Sequence, residues 1–96
     1  MKLLRVIKSP NSKKKWRAVF ETDKGRTKTT DFGDSSAQDY TQHHDKERRE
    51  RYRIRHKKDL QTNDPTRAGF LSYYILWGDS TSFESNLRTY RSRFDL

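Results

Sequence analysis

The sequence predicts an α+β fold, with a small three-stranded antiparallel sheet in the N-terminal half covered by about three helices in the C-terminal half. Two observations support this prediction. Apolar and polar residues alternate through residues 2–33, as they do in strands, and apolar residues recur at helical spacing through residues 36–96. Because no low-complexity linker separates the two halves, residues 1–96 are predicted to form one domain.

The alternation also predicts which side chains share a face of the sheet. Leu4 and Val6 are expected on one face of the first strand. Trp16, Ala18 and Phe20 are expected on one face of the second strand. A three-stranded sheet with a single apolar face needs a cover to be stable, and the helical half of the chain can supply it.

Turn-forming residues separate the predicted strands. Residues 9–12 are Ser-Pro-Asn-Ser, and residues 22–25 are Thr-Asp-Lys-Gly. The second of these segments predicts a hairpin turn in which Gly25 takes a positive φ angle. A third strand, rich in threonine, is predicted over residues 26–32.

The first long helix is placed by its N-terminal residue. Asp45 is predicted to be the N-cap of a helix that ends near Leu60. Residues 36–44, which come before it, are expected to form a turn or a short helix.

The second long helix is placed by both of its ends. Asp64 followed by Pro65 predicts an N-cap and a first helical residue, and Gly78 predicts the end of the helix after Trp77. The segment Phe70–Trp77 is apolar almost all round. It is therefore predicted to be the central core helix, or alternatively a helix with one side exposed for docking on another protein.

The last helix shows the clearest apolar stripe in the chain. Residues 80–82 are Ser-Thr-Ser, which predicts a cap. Four apolar residues then recur at a spacing that forms one helical face, namely Phe83, Leu87, Tyr90 and Phe94.

Composition bounds the function. The chain has 22 Lys and Arg against 13 Asp and Glu, a net charge of +9 and a pI of about 10.0. That charge attracts polyanions, although it can also serve solubility alone. The absence of cysteine excludes disulfides and thiolate sites, and it is typical of a reducing intracellular compartment. The N-terminal residues lack the apolar core of a signal peptide, and no apolar run is long enough to predict a membrane span.

Residues 46–58 are the most basic part of the chain and are predicted to be helical. Arginine suits phosphate and carboxylate groups because its planar guanidinium donates two parallel hydrogen bonds. The alternative is a solvated helix face, partly neutralised by Glu47 and Glu50. Two neighbouring faces of this helix carry most of the cations, with Arg48, Arg51 and Arg55 on one and Arg49, Arg53 and Lys57 on the other.

A second basic patch is predicted in the first loop, next to Trp16. That tryptophan is expected in the core, although an exposed indole here could stack on nucleic-acid bases. The residues predicted to bind a partner or nucleic acid are Lys13, Lys14, Lys15, Arg48, Arg49, Arg51, Arg53, Arg55, Lys57 and Lys58.

The sequence lacks the signatures of common catalytic and metal sites. His43, His44 and His56 do not have the spacing of metal ligands. There is no nucleophile elbow, no phosphate-binding glycine loop and no pair of carboxylates in a plausible cleft. We therefore expect no enzyme activity, no metal, no other cofactor and no small-molecule substrate. His56 is expected to form hydrogen bonds on the inner helix face, one turn after Tyr52.

A distinctive order of residues follows the strand that ends in Phe32-Gly33. It comprises Asp39-Tyr40-Thr41, His44, Arg51-Tyr52, Arg55-His56-Lys57-Lys58, Asp64-Pro65-Thr66, Ala68-Gly69-Phe70-Leu71-Ser72 and Ile75-Leu76-Trp77. In this order the chain, over about residues 30–94, resembles a family of small basic proteins encoded by giant double-stranded DNA viruses of algae and amoebae. Two positions depart from the family pattern, because Thr66 stands one place nearer the proline and Gly78-Asp79 follows Trp77 where the pattern has Asn-Lys.

The resemblance implies a viral protein inside the host cell, with the virion as its expected location. The family's function is undefined, and Tyr52, His56, Gly69 and Trp77 look like fold determinants. The resulting prediction is a minor capsid-type structural protein that docks on acidic surfaces of capsid proteins. The alternative is a non-sequence-specific nucleic-acid-binding protein that uses residues 46–58.

Overall fold

The computed structural model describes residues 1–96 and confirms the predicted α+β fold. Three antiparallel strands, β1 (Lys2–Lys8), β2 (Lys14–Glu21) and β3 (Thr27–Asp34), form a sheet in the order β1-β2-β3. The helical half consists of α1 (Tyr40–His43), α2 (Lys46–His56), a 3₁₀-helix (Lys57–Thr62), α3 (Ala68–Leu71), a π-helical turn (Ser72–Leu76) and α4 (Phe83–Phe94). None of these helices is long and apolar enough to cross a membrane.

One core joins the sheet to the helices. The predicted face of β2 is confirmed, because Ala18 and Phe20 are fully buried and Trp16 packs against the core, with its ring centroid 4.8 Å from that of Phe83. The predicted stripe of α4 is also confirmed, since all four of its residues belong to this core or pack against it. The other buried residues of the cluster are Leu3, Phe32, Phe70, Leu71, Ile75 and Leu76.

The predicted face of β1 is wrong at Leu4. A β-bulge lies between Leu3 and Arg5, so that one extra residue stands in β1 opposite β2. Leu3 is therefore the residue that enters the core, with 4% of its surface exposed, while Leu4 is 41% exposed. The guanidinium of Arg91 in α4 donates to the carbonyl oxygens of Leu3 and Leu4, at 3.2 and 3.4 Å, which provides partners for the carbonyls of the bulge.

The hairpin between β2 and β3 has the predicted turn, with Gly25 at a φ angle of 74°. β3 begins one residue later than predicted and ends two residues later, at Asp34. Gly33 near its end has a φ angle of 84°, and a Cβ there would lie 2.8 Å from Leu76 Cδ1. The glycine thus lets β3 approach the central helical segment closely.

Asp45 is the N-cap of α2, as predicted, and its carboxylate accepts hydrogen bonds from the backbone N–H groups of Glu47 and Arg48. The predicted end of the helix near Leu60 is wrong, because α2 ends at His56 and the chain tightens into a 3₁₀-helix. Asp59 accompanies this change: its carboxylate lies 2.9 Å from His56 Nδ1, three residues earlier, which confirms His56 as a hydrogen-bonding residue.

The predicted helix start at Asp64 and Pro65 is also wrong, since α3 begins at Ala68. The Asp64 carboxylate instead accepts from the backbone N–H and hydroxyl of Thr66, which forms a local turn. The carbonyl oxygens of Pro65 and Thr66 accept from the hydroxyls of Tyr90 and Thr30. These carbonyls therefore serve tertiary contacts rather than a helical turn.

Candidate functional site

The two arginine-bearing faces of α2 have different surroundings. Arg53 Nε donates to the Trp77 carbonyl oxygen at 2.8 Å, and Arg53 Nη2 donates to the Asp79 carboxylate at 2.9 Å. Arg49 lies with its guanidinium carbon 4.7 Å from the centroid of the Tyr40 ring, and it donates to the Asp79 carbonyl oxygen and to the Glu50 carboxylate. Arg49 and Arg53 therefore attach α2 to the rest of the fold.

The other face, with Arg48, Arg51 and Arg55, lines a cleft of about 540 Å³. The opposite side of this cleft is formed by the start of β2, the end of β3 and the loop that follows it. The segment 68–77 supplies further lining residues. The prediction that these three arginines share one face is confirmed, and the fold places that face against a concavity.

The three lysines of the first basic patch are in different environments. Lys13 is exposed in the turn before β2 and does not line the cleft. Lys14 lines the cleft, and its side chain forms no hydrogen bond or ion pair within the chain. Lys15 Nζ lies 2.6 Å from the buried carboxylate of Asp39 and 2.6 Å from the side-chain oxygen of Gln42. Lys15 thus ties β2 to the cap of α1, and its charge is neutralised there.

The two lysines that follow α2 lie outside the cleft. Lys57 and Lys58 are exposed on the 3₁₀-helix and do not line the cleft. Of the ten residues predicted to bind a partner, the cleft brings together four exposed cations, Lys14, Arg48, Arg51 and Arg55, of which only Arg51 has a carboxylate within 4.0 Å, that of the exposed Glu47.

An aromatic stack runs along the inner side of α2. The Tyr52 ring lies between His56 and Trp77, with centroid distances of 4.1 and 4.2 Å and interplanar angles of 22° and 6°. The ring of His43 lies 5.2 Å from that of Trp77. Burial raises the pKa of the Tyr52 hydroxyl to about 12, so this group stays neutral at physiological pH. Because both faces of Tyr52 are covered, this ring offers no platform for a nucleic-acid base.

Three carboxylates also line the cleft, and two of them contact a lysine or histidine side chain. Asp39 is paired with Lys15, and Asp59 is bonded to His56. The third, Asp34, is exposed at the end of β3. Hydrogen bonds from the hydroxyl and backbone N–H of Ser36 lower the pKa of the Asp34 carboxyl, so that it is ionised at neutral pH.

Gly69 lines the cleft next to Asp59. A Cβ on Gly69 would lie 2.8 Å from Asp59 Cβ, so the glycine allows the 3₁₀-helix to pack directly against α3. This contact holds Asp59 beside His56, at the edge of the cleft. Because a side chain at position 69 would collide with Asp59, this close approach agrees with the prediction that Gly69 is a determinant of the fold.

The chemistry available in the cleft is the binding of anions by guanidinium and ammonium groups. No group of three or more His, Cys, Asp or Glu side chains in the structure could hold a metal ion. Sequence reasoning missed the part of the cleft formed by the loop after β3 and by residues 68–77. Gly69 within an apolar helical run was the available signal, because a glycine there indicates a close approach.

Comparison with known families matches this chain to one of them. A model described as a family of unknown function (DUF5754) matches residues 4–56, which is more than half of the chain. The chain belongs to this family. The matched segment contains β1 from Leu4 onward, β2, β3, α1, α2 and the four cleft cations, while α3 and α4 lie beyond it. No curated protein and no solved structure matches the chain.

Proposed function

We propose that this protein is a non-enzymatic binding protein that docks on an acidic protein surface through the cleft beside α2. The observation that supports this proposal is the state of the cleft cations. Lys14, Arg48 and Arg55 have no carboxylate partner within the chain, and Arg51 has only the exposed Glu47 at 4.0 Å. Cations in a concavity can meet several carboxylates of one partner at the same time.

Four partly buried cations of the fold provide a contrast. Lys15, Arg17, Arg49 and Arg53 are partly buried, and each has a carboxylate within 3.0 Å. The fold therefore neutralises these four cations, whereas the partly buried Arg91 is held by the carbonyl oxygens of Leu3 and Leu4. The cleft cations are left to a partner, and bidentate pairing with carboxylates is the interaction that arginine favours.

A protein partner agrees better with the lining of the cleft than nucleic acid does. Binding to single strands relies on aromatic rings whose faces are free to stack on bases. Here both faces of Tyr52 are covered, and Trp16 packs against Phe83 in the core. The exposed, ionised carboxylate of Asp34 repels phosphates and carboxylates alike, but a polypeptide can place a neutral residue beside it, whereas a nucleic-acid backbone is charged at every step.

A second candidate function is non-sequence-specific binding of nucleic acid through its phosphates. The spacing of the cleft arginines favours it. Arg48, Arg51 and Arg55 follow one another at three and four residues, which is about 4.5 and 6 Å along the helix axis. Such a row can contact successive phosphates, and the exposed Lys57 and Lys58 extend it.

The resemblance to proteins of large DNA viruses supports a particular setting for the docking function. In that setting the protein is a minor capsid-type component of the virion, held by acidic faces of capsid proteins. This part of the proposal rests on the residues that carry the resemblance, from Asp39 to Trp77.

The test compares an acidic polypeptide with duplex DNA at several salt concentrations, using fluorescence anisotropy of labelled polyglutamate and labelled duplex. We expect polyglutamate to bind and the triple reversal of Arg48, Arg51 and Arg55 to Glu to abolish that binding. The matched control reverses Lys24, Arg26 and Arg88, which are exposed and unpaired outside the cleft, so that net charge changes equally.

The outcomes separate the candidates. Equal loss of binding in both triple variants would reduce the effect to net charge and contradict the proposed site. Tighter binding of duplex DNA than of polyglutamate would favour the nucleic-acid function. In that case the logarithm of affinity should fall with the logarithm of salt at a slope of about −0.9 per phosphate contacted.

A further inference from the structure

The cleft contains apolar groups beneath its charged residues. Lys14, Arg48, Arg51 and Arg55 are exposed, whereas Tyr52, Ala68 and Trp77 in the same lining are half-buried and Leu76 is buried. We call these four apolar residues the cleft floor. A ligand that only pairs charges would leave this floor in contact with water, and burying it adds favourable free energy in proportion to the apolar area covered.

The dimensions of the cleft limit what can reach the floor. A volume of about 540 Å³ is within the range of pockets that take up small ligands. It accommodates one large side chain and the backbone on either side of it. A flat or convex protein surface would contact the exposed cations and leave the floor empty, so an extended segment is the form of partner that fills the cleft.

The distribution of charge determines which side chains of that segment are favoured on each side of the cleft. Arg48, Arg51 and Arg55 line the α2 side. On the opposite side Lys14 stands opposite Asp34 in the register of β2 and β3, so the lysine there is partly offset by a carboxylate. Acidic residues of a bound segment are therefore favoured beside α2, and neutral residues are favoured beside the sheet.

We propose that the cleft binds an extended acidic peptide segment of a partner protein, with one large apolar side chain of that segment inserted against Tyr52, Ala68, Leu76 and Trp77. This inference rests on the proposed docking function and specifies its partner. Nucleic acid cannot satisfy both parts of the cleft, because its apolar surfaces are base faces and the floor offers no uncovered face of Tyr52 on which to stack them.

The experiment uses three labelled probes and the full chain. The first is a short peptide with a central Phe flanked by Glu residues, the second is the same peptide with a central Ser, and the third is oligothymidylate of equal charge. We expect the Phe peptide to bind about tenfold more tightly than the Ser peptide, the change given by partial burial of one aromatic side chain. Both peptides should lose binding in the triple reversal of Arg48, Arg51 and Arg55.

A variant of the floor provides a second test. Ala68→Leu partly fills the cleft without changing its charge, so it should weaken the Phe peptide severalfold more than the Ser peptide and reduce the ratio of their affinities. Its melting temperature is measured in parallel, and the comparison of the two peptides on the unmodified protein remains decisive if this variant is unstable.

Each result has a distinct meaning. Equal affinity of the Phe and Ser peptides would overturn the apolar anchor and leave the docking function standing. Failure of both peptides would overturn the docking function together with this inference. Tightest binding of oligothymidylate, lost in the triple reversal, would also overturn both and assign the cleft to nucleic acid.

Discussion

Tyr52 of α2 and Trp77 at the end of the π-helical turn stack face to face, with centroids 4.2 Å apart and ring planes 6° apart. His56 covers the second face of Tyr52, and Arg53, the next residue of the same helix, donates to the Trp77 carbonyl oxygen. The helix that carries the cleft arginines is thus held to the core by an aromatic contact and a hydrogen bond to the same tryptophan.

Replacement of Trp77 tests this attachment. Trp77→Ala removes the ring that packs against Tyr52 and the core, and we expect it to destabilise the fold by about 3–5 kcal/mol. Trp77→Phe, which retains an aromatic face, should cost less. The measurement is thermal unfolding followed by circular dichroism, and an unchanged melting temperature for the alanine variant would contradict the role of Trp77 in packing.

The bulge in β1 makes opposite predictions for two adjacent leucines. Leu3→Ala removes a buried side chain and should cost about 2–5 kcal/mol. Leu4→Ala acts on a largely exposed side chain and should stay within roughly 0.5 kcal/mol of the native stability. Urea denaturation of the two variants compares them directly. Similar losses in both would show that the register of β1 differs from the one described here.

Two glycines are expected to respond differently to an added side chain. At Gly78 a Cβ would overlap the carbonyl oxygen of Tyr74 and lie 2.8 Å from Asn86 Cγ, so Gly78→Ala should cost about 3 kcal/mol or more. At Gly25 a Cβ meets nothing within 4 Å, and only the positive φ angle opposes substitution. Gly25→Asn should therefore cost well under about 1 kcal/mol, because asparagine tolerates that conformation. The free energies of unfolding decide between these expectations, and a tolerated Gly78→Ala would be inconsistent with the described packing.

His43 makes the fold sensitive to mild acid. Its Nδ1 accepts the backbone N–H of Asp45, and its Nε2 is buried without a partner. Burial, together with the nearby charge of Arg48, lowers the pKa of His43 below its ordinary value of 6.5. Near and below pH 6.5 the unfolded chain therefore binds more protons at His43 than the folded chain does. The contribution of His43 to the free energy of unfolding is fully present above that pH and decreases as the pH is lowered.

The variant His43→Asn isolates this effect, because its amide oxygen can accept the Asp45 N–H and does not titrate. We expect the difference in unfolding free energy between pH 7.5 and about pH 5 to be smaller in the variant than in the native protein. The shifted Asp carboxyls act at lower pH, since their lowered pKa values start from 3.8. Equal pH dependence in the two proteins would exclude His43 as the source.

Much of the local structure could be predicted because the interactions that decide it lie within one turn. Asp45 and Ser82 cap helices by accepting hydrogen bonds from backbone N–H groups two or three residues away. Gly25 occupies the position of positive φ in the hairpin turn between β2 and β3. The stripe of α4 was predictable for the same reason, since helical periodicity alone places Leu87 and Tyr90 on one face. Capping residues and hydrophobic periodicity, which are both local, therefore determined which segments form strands and which form helices.

Two of the failed predictions, the face of β1 and the helix start at Asp64, depend on residues distant in the chain. Leu3 rather than Leu4 enters the core beside a bulge whose carbonyls bond to Arg91, which is remote in the chain. Asp64 resembles an N-cap, yet the carbonyl oxygens that follow it accept hydrogen bonds from Thr30 and Tyr90. No local pattern contains these partners, so the sequence favoured the regular alternatives.

The candidate site shows the same division. By itself the sequence determined an α+β fold, a basic helix that begins after its N-cap Asp45, and the sharing of one face by Arg48, Arg51 and Arg55. Only the tertiary structure decided that Lys15 pairs with Asp39 while Lys14 stays free beside those arginines. The physical reason is that charge is a property of each residue, whereas its neutralisation depends on which carboxylate the packing of sheet and helices brings within reach.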